Sequence, residues 1–76
     1  MNRQETAAEA RIRLDQKLIA DMVTPGCRLI DVGCGDGVLL DLLVQERQVD
    51  GRGIELSQEG VNTCVARGLA VVQGDA

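Results

Sequence analysis

Residues 29–43 read LIDVGCGDGVLLDLL, and this stretch decides the fold. An apolar run meets an acid, Asp31, then glycines at 33, 35 and 37, then a leucine-rich segment. Cys27 to Val32 is short, apolar but for Arg28 and Asp31, and preceded and followed by glycine. That pattern predicts a strand meant for burial on both faces. Gly37 to Glu46 is predicted as a helix with Leu39, Leu40, Leu42, Leu43 and Val44 inward or half inward. Glycines at alternate positions let the backbone turn sharply and let a ligand approach with no Cβ in the way. The helix N-terminus behind them offers free N–H groups to a polar or negatively charged ligand group. A glycine turn alone can equally be a tight turn with no ligand.

Residues 5–23 upstream are predicted as a helix. Ala8, Ile12, Ile19 and Met22 form one apolar stripe, widened by Leu14 and Leu18. Thr24, Pro25 and Gly26 end it, because proline disfavours the α region in the residue before it and Gly26 permits a positive φ. Downstream, Gly51 to Leu56 is a short second strand. Ser57 can cap a third helix, its side-chain oxygen accepting from a free N–H of the first turn. Val61, Cys64 and Val65 are that helix's apolar stripe, and Gly68 stands where a left-handed C-terminal residue belongs. Leu69 to Gln73 is the third strand. The expected class is α/β, a Rossmann-like partial sheet: a helix, then β-α-β-α-β, with parallel strands in the order 3-2-1 and right-handed crossovers. In such sheets the ligand lies at the carboxyl ends of the strands, where the loop Gly33 to Gly37 falls.

Three strand ends carry chemistry. The glycine spacing is GxGxG, not the dinucleotide GxGxxG, since Val38 occupies the last glycine's place. Asp31, two residues before the first glycine, would repel a pyrophosphate but suits an ammonium or sulfonium ligand. Glu55 lies about twenty residues past the turn, where an acid can accept from vicinal ribose hydroxyls. The run QGDA, Gln73 to Ala76, puts Asp75 at the end of strand three, where it could accept from an exocyclic amine such as that of adenine. Carboxylates at strand ends are often simply solvated, which is the plain alternative for Asp75 and Glu55. An acid in a buried-type strand needs a partner, so Asp31 has less of that alternative.

The bulk composition narrows the classes. The chain has 76 residues and a formal charge of −4, twelve Asp and Glu against eight Lys and Arg. Phosphate binding needs clustered cations, so no nucleic-acid partner is expected. Arg11, Arg13 and Lys17, the nearest thing to a cluster, read as a solvated helix face. No run approaches the ~20 apolar residues of a membrane span, and the polar N-terminus lacks a signal-peptide core. Three cysteines without a CxxC argue against disulfide or zinc frameworks and for a cytoplasmic location. No metal ligand set is expected, and the absence of histidine removes the commonest general base.

The motifs DVGCGDG, GIELS and QGDA on consecutive strand ends resemble those of the S-adenosylmethionine-dependent methyltransferases of the Rossmann-like class. Residues 11–76 resemble more narrowly the MetW family of methionine-biosynthesis proteins. The resemblance implies S-adenosyl-L-methionine as cofactor. It places Asp31 and the backbone of Gly33, Cys34 and Gly35 at the methionyl end, and Glu55 on the ribose hydroxyls. Leu56 would pack on adenine, Asp75 would meet its amine and the backbone of Ala76 its ring. It also implies a homoserine acyltransferase as partner, because family members are associated with homoserine acylation. Arg52 departs from an aromatic common in the family, and family members are much longer. Residues 1–76 therefore read as the N-terminal half of a truncated methyltransferase-like domain, with strands four to seven lacking.

The expected function is the S-adenosylmethionine-binding portion of a methyltransferase-like protein. The alternatives are a non-catalytic regulatory or partner subunit and an inert fragment. No residue here is a persuasive catalytic group; Cys34 reads as a small loop residue, and the chain alone is expected to be inactive. Right-handed crossovers put both later helices on one face, leaving the other bare. That face would carry Leu29 and Asp31, or Ile30 and Val32, plus Ile54 and one of Val71 or Val72. A bare face and a free strand edge predict a symmetric homodimer.

Overall fold

The structure of the chain, a computed structural model, describes residues 5–75. The elements are α1 (Ala7–Met22), β1 (Arg28–Val32), α2 (Val38–Arg47), β2 (Asp50–Glu55), α3 (Gln58–Ala66) and β3 (Ala70–Gln73). The strands form one sheet in the order β1-β2-β3. Both pairings are parallel, with Val32 opposite Ile54 and Glu55 opposite Gln73. The expected α/β class, parallel pairing and strand order are all present.

Local chemistry sets the element ends. The Thr6 hydroxyl accepts from the Glu9 N–H at 3.1 Å and caps α1. The Arg47 guanidinium donates twice to the Val23 carbonyl, at 3.1 and 2.9 Å, and the Gly26 N–H donates to the Arg47 carbonyl at 2.9 Å. These bonds tie the end of α1 to the end of α2 and satisfy carbonyls that a helix terminus leaves free. Ser57 caps α3 as expected, accepting from the Gly60 N–H at 2.9 Å. Gly68 takes the left-handed conformation foreseen for it, φ +82°.

The core lies between the sheet and the helices. One cluster joins Cys34, Leu40, Cys64 and Leu69; a second joins Ala20, Leu43 and Val49. Side chains alternate along β1, so Leu29 and Asp31 face the helices while Ile30 and Val32 do not. Leu40 sits close over β2: a Cβ on Gly51 would lie 2.9 Å from Leu40 Cδ1. Glycine in the strand is what lets α2 approach the sheet so nearly.

The bare sheet face expected from the crossovers is present, while the apolar stripes read along α1 and α3 need correction. β1 is covered on one face only, because both crossover helices lie on the same side; Ile30 and Val72 are 66% and 63% exposed on the other. With Ile54 and Ala70 they line a shallow groove. The apolar stripe read along α1 is not its buried face. Ala8, Ile12, Leu14, Leu18, Ile19 and Met22 are all exposed, Met22 at 84%, and Ala20 is the buried residue. α1 lies against α2, and helices approach as closely as their contact side chains allow. The small Ala20 permits the contact, packing with Leu43 and Val49. In α3, Val65 likewise points outward while Cys64 is fully buried. Among the described residues, no helix is long and apolar enough to cross a membrane.

Candidate functional site

The carboxyl ends of the strands converge on the glycine loop. The Gly33 N–H donates to the Ile54 carbonyl at 2.7 Å, and Cys34 N–H reaches the same oxygen at 3.3 Å, so β1 stays paired with β2 into the turn. Gly33, Gly35 and Gly37 have φ of +73°, +59° and +82°, while the residues between them do not have positive φ. Side chains other than glycine rarely tolerate that region. The three glycines nevertheless serve different ends. A Cβ on Gly33 or Gly35 would meet nothing within 4 Å, so their open side is free for a ligand. A Cβ on Gly37 would lie 2.7 Å from both Cys64 Sγ and Leu69 Cδ1, so this glycine also lets the loop close onto α3 and β3.

The second half of the loop is pinned from outside. Asp36 accepts from the Val38 N–H at 3.2 Å, a turn bond that spans Gly37, the N-cap of α2. Arg67 donates to the Asp36 carbonyl at 3.0 Å and stands 3.7 Å from the Asp41 carboxylate. Toward α1, a groove bordered by Ile12, Arg13, Gln16 and Val38 opens beside Asp36.

Glu55, at the end of β2, uses both carboxylate oxygens. Oε1 accepts from the Gly35 N–H at 2.9 Å and Oε2 from the Ser57 N–H at 2.9 Å. Backbone donation from Ser57 and Gly35 holds the Glu55 carboxyl below the usual glutamate range. Its bonds thus support folding above the unfolded pKa, and that support is lost as pH falls through the lowered folded value. Asp31 behaves oppositely. It sits half-buried on the helix side of β1, and burial raises its carboxyl. Its contribution to stability is therefore greatest at low pH and is lost as pH rises through the raised folded value.

Cys34 contributes backbone to the loop and side chain to the core. Its Sγ lies 3.9 Å from Cys64 Sγ, and Cys64 Sγ lies 3.3 Å from the Gly35 carbonyl as a donor. Burial first, then the neighbouring Cys64, pushes the Cys34 thiol up to about 11. A thiol held protonated makes a poor nucleophile, in keeping with its reading as a loop residue.

Leu56 and Asp75 are exposed just past the ends of β2 and β3, Leu56 at 68%. Gln73 Nε2 donates to the Leu56 carbonyl at 3.0 Å, and Gly74 N–H to that of Glu55 at 3.1 Å, so the ends of β2 and β3 are held together. Asp31, Gly33, Cys34, Gly35, Glu55, Leu56 and Asp75 thus lie at or just beyond the carboxyl ends of the three parallel strands. Ala76 lies outside the described residues. Among the described residues, no group of three or more Cys, Asp or Glu could hold a metal ion.

Sequence reasoning missed Gly60. A Cβ there would lie 2.8 Å from Glu55 Cγ and 2.8 Å from the Gly35 carbonyl oxygen. The available signal was a glycine in the first turn of a helix, where alanine would favour the helix.

Comparison with known proteins gives the same picture. The curated bifunctional methionine biosynthesis protein MetXA/MetW of Rhodopirellula baltica is 25% identical over 76 residues, covering 90% of this chain and 12% of that protein. A crystal structure of an S-adenosylmethionine-dependent methyltransferase from Geobacter sulfurreducens, in complex with S-adenosyl-L-homocysteine, superposes with a TM-score of 0.71. It is 25% identical, over 95% of this chain and 30% of the other. The S-adenosylmethionine-bound amino pentose methyltransferase of Micromonospora echinaspora gives a TM-score of 0.69 at 25% identity, over 99% of this chain and 37% of the other. The chain spans about an eighth of the length of the curated relative and about a third of these solved structures. The fold is accordingly that of the Rossmann-like methyltransferases. The family model described as methionine biosynthesis protein MetW matches residues 13–76, most of the sequence, and the chain belongs to that family.

Proposed function

We propose that residues 1–76 are the N-terminal portion of a methyltransferase-like domain and bind S-adenosyl-L-methionine at the carboxyl ends of β1, β2 and β3. The observation that carries this is the open side of Gly33 and Gly35, set beside a carboxylate at the end of β2 and an exposed leucine after it. The residues present fit the molecule. The amino acid end passes over the Cβ-free backbone of Gly33, Cys34 and Gly35, with Asp31 supplying negative charge. Glu55 accepts from the ribose hydroxyls, Leu56 gives the adenine ring an apolar surface, and Asp75 with the backbone of Ala76 takes its polar edge. When bound, S-adenosylmethionine supplies a methyl group activated by the sulfonium charge. The chain contributes binding and orientation, and no general base.

Titration calorimetry with S-adenosyl-L-methionine tests this reading. Binding is expected for the parent chain, weakened about tenfold or more by Glu55→Ala, as for loss of a hydrogen bond to a charged group. No heat with the parent would sink the proposal; equal affinity would remove Glu55 from the site.

A second reading is favoured by the bifunctional relative, in which one protein carries both MetXA and MetW. Here the chain supports a homoserine acyltransferase without transferring a methyl group. Cofactor binding together with capture of the purified acyltransferase, and no turnover, would select it. Its three cysteines are free thiols, which suits the cytoplasm.

The bare face of the sheet supports a homodimer, two sheets meeting about a two-fold axis. Sedimentation at micromolar concentration should give twice the chain mass. A compact monomer with a cooperative melt would exclude it.

A further inference from the structure

Three backbone groups and one carboxylate meet where the glycine loop touches the first turn of α3. The Glu55 carboxylate spans the gap, accepting from Gly35 on one side and Ser57 on the other, each at 2.9 Å. The Gly35 carbonyl accepts from Cys64 Sγ at 3.3 Å, so both polar groups of that peptide segment are held by or through α3. Gly60 makes the close contact possible, since any Cβ there would press on Glu55 Cγ and on the Gly35 carbonyl oxygen.

We propose that Glu55, Gly35 and Gly60 form a latch that sets the shape of the glycine loop before any ligand arrives. Glu55 is then a positioning residue for the loop as well as the ribose contact of the proposed function; only the second role rests on that reading. Each carboxylate oxygen has two lone pairs, and the backbone donors use one on each. Ribose hydroxyls can therefore be accepted by the remaining lone pairs without releasing the loop. The ligand meets an acceptor that is already oriented, so less ordering is lost on binding.

The chemistry of Gly60 makes the test sharp, because two readings predict opposite signs. If Gly60 is an ordinary helix residue, Gly60→Ala raises the melting temperature, as alanine is the better helix former. If Gly60 is the seat of the latch, the added methyl displaces Glu55 or the loop. Exchange of the Gly35 amide then quickens about tenfold or more while strand β2 keeps its protection, the mark of a local opening. Glu55→Gln should quicken at least one of Gly35 and Ser57, because its NH₂ group faces one of the two backbone donors and cannot accept.

A measurement on the parent chain needs no variant. The Gly35 and Ser57 amide resonances should move together as the Glu55 carboxyl titrates, at one midpoint below the ordinary glutamate range. Nearby groups do not confuse this: Asp31 is raised, and Cys34, which feels the charge of Glu55, stays protonated with its thiol near about 11. Separate midpoints, a midpoint that follows Asp31, or a stabilised Gly60→Ala with unchanged Gly35 exchange would overturn the latch. Failure of the parent to bind S-adenosylhomocysteine would remove the ribose role and leave the latch standing. Intact binding with unaltered exchange in both variants would do the reverse.

Discussion

Gly37→Ala is expected to lower the melting temperature by about 10–30 °C, the largest loss from adding a single methyl group to this chain. Two costs combine. The backbone at Gly37 is left-handed, φ +82°, which costs a residue with a Cβ about 1–2 kcal/mol. The new methyl would also lie 2.7 Å from Cys64 Sγ and 2.7 Å from Leu69 Cδ1. Overpacking of that kind costs about 1–3 kcal/mol. A total of about 2–5 kcal/mol is a large part of what so small a domain has, on the order of 4–11 kcal/mol. Gly33→Ala and Gly35→Ala are the controls. Both positions have positive φ but empty space for a Cβ, so they should lose only the conformational part. Far-ultraviolet circular dichroism melts of the three variants decide the matter. Equal losses at 33, 35 and 37 would show that packing behind Gly37 contributes nothing.

The second large effect is expected of Leu40→Ala. Leu40 is 0% exposed and stands with Cys34, Cys64 and Leu69 in the cluster beneath the loop. Truncating such a leucine costs about 2–5 kcal/mol, the upper values where the surroundings cannot collapse. Collapse is hindered here, because the wall facing Leu40 is strand backbone at Gly51 and Gly53, which has no side chain to move inward. The urea midpoint should fall with the slope unchanged, the pattern of lost stability without a change of compactness. An unfolding free energy within about 0.5 kcal/mol of the parent, the usual range for surface changes, would mean that this cluster is not the core.

The strands and helices were legible in the sequence, because the signals are local: the apolar run to Val32, the alternate glycines, Ser57 as a cap and Gly68 as a left-handed stop. That Asp31, Glu55 and Asp75 share the carboxyl end of the sheet followed from topology alone, since parallel strands present their carboxyl ends together. The buried side of α1 was not legible. Six apolar residues pointed to one face, yet the contact with α2 selected Ala20, and contact distance between helices is a tertiary property. The double engagement of Glu55 was hidden for a similar reason. Sequence spacing can place a carboxylate at a strand end, but the backbone donors it meets come from a loop twenty positions upstream and from the helix that follows. Cys34 and Cys64 are thirty positions apart and gave no sign of lying 3.9 Å from each other.

The order β1-β2-β3 within the sheet is also the order along the chain. No strand is inserted between two earlier ones; each pairs with its predecessor across a single crossover, 33–49 and then 56–69. Loop closure of that length is entropically mild, and its cost grows only logarithmically with length. Assembly can therefore be vectorial. As the polypeptide leaves the ribosome, β2 can dock on β1 with α2 as its cover before β3 has been synthesised. The glycine turn is completed in two stages by this growth, its β1 side when β2 arrives and its α3 side when Ser57 and Gly60 follow.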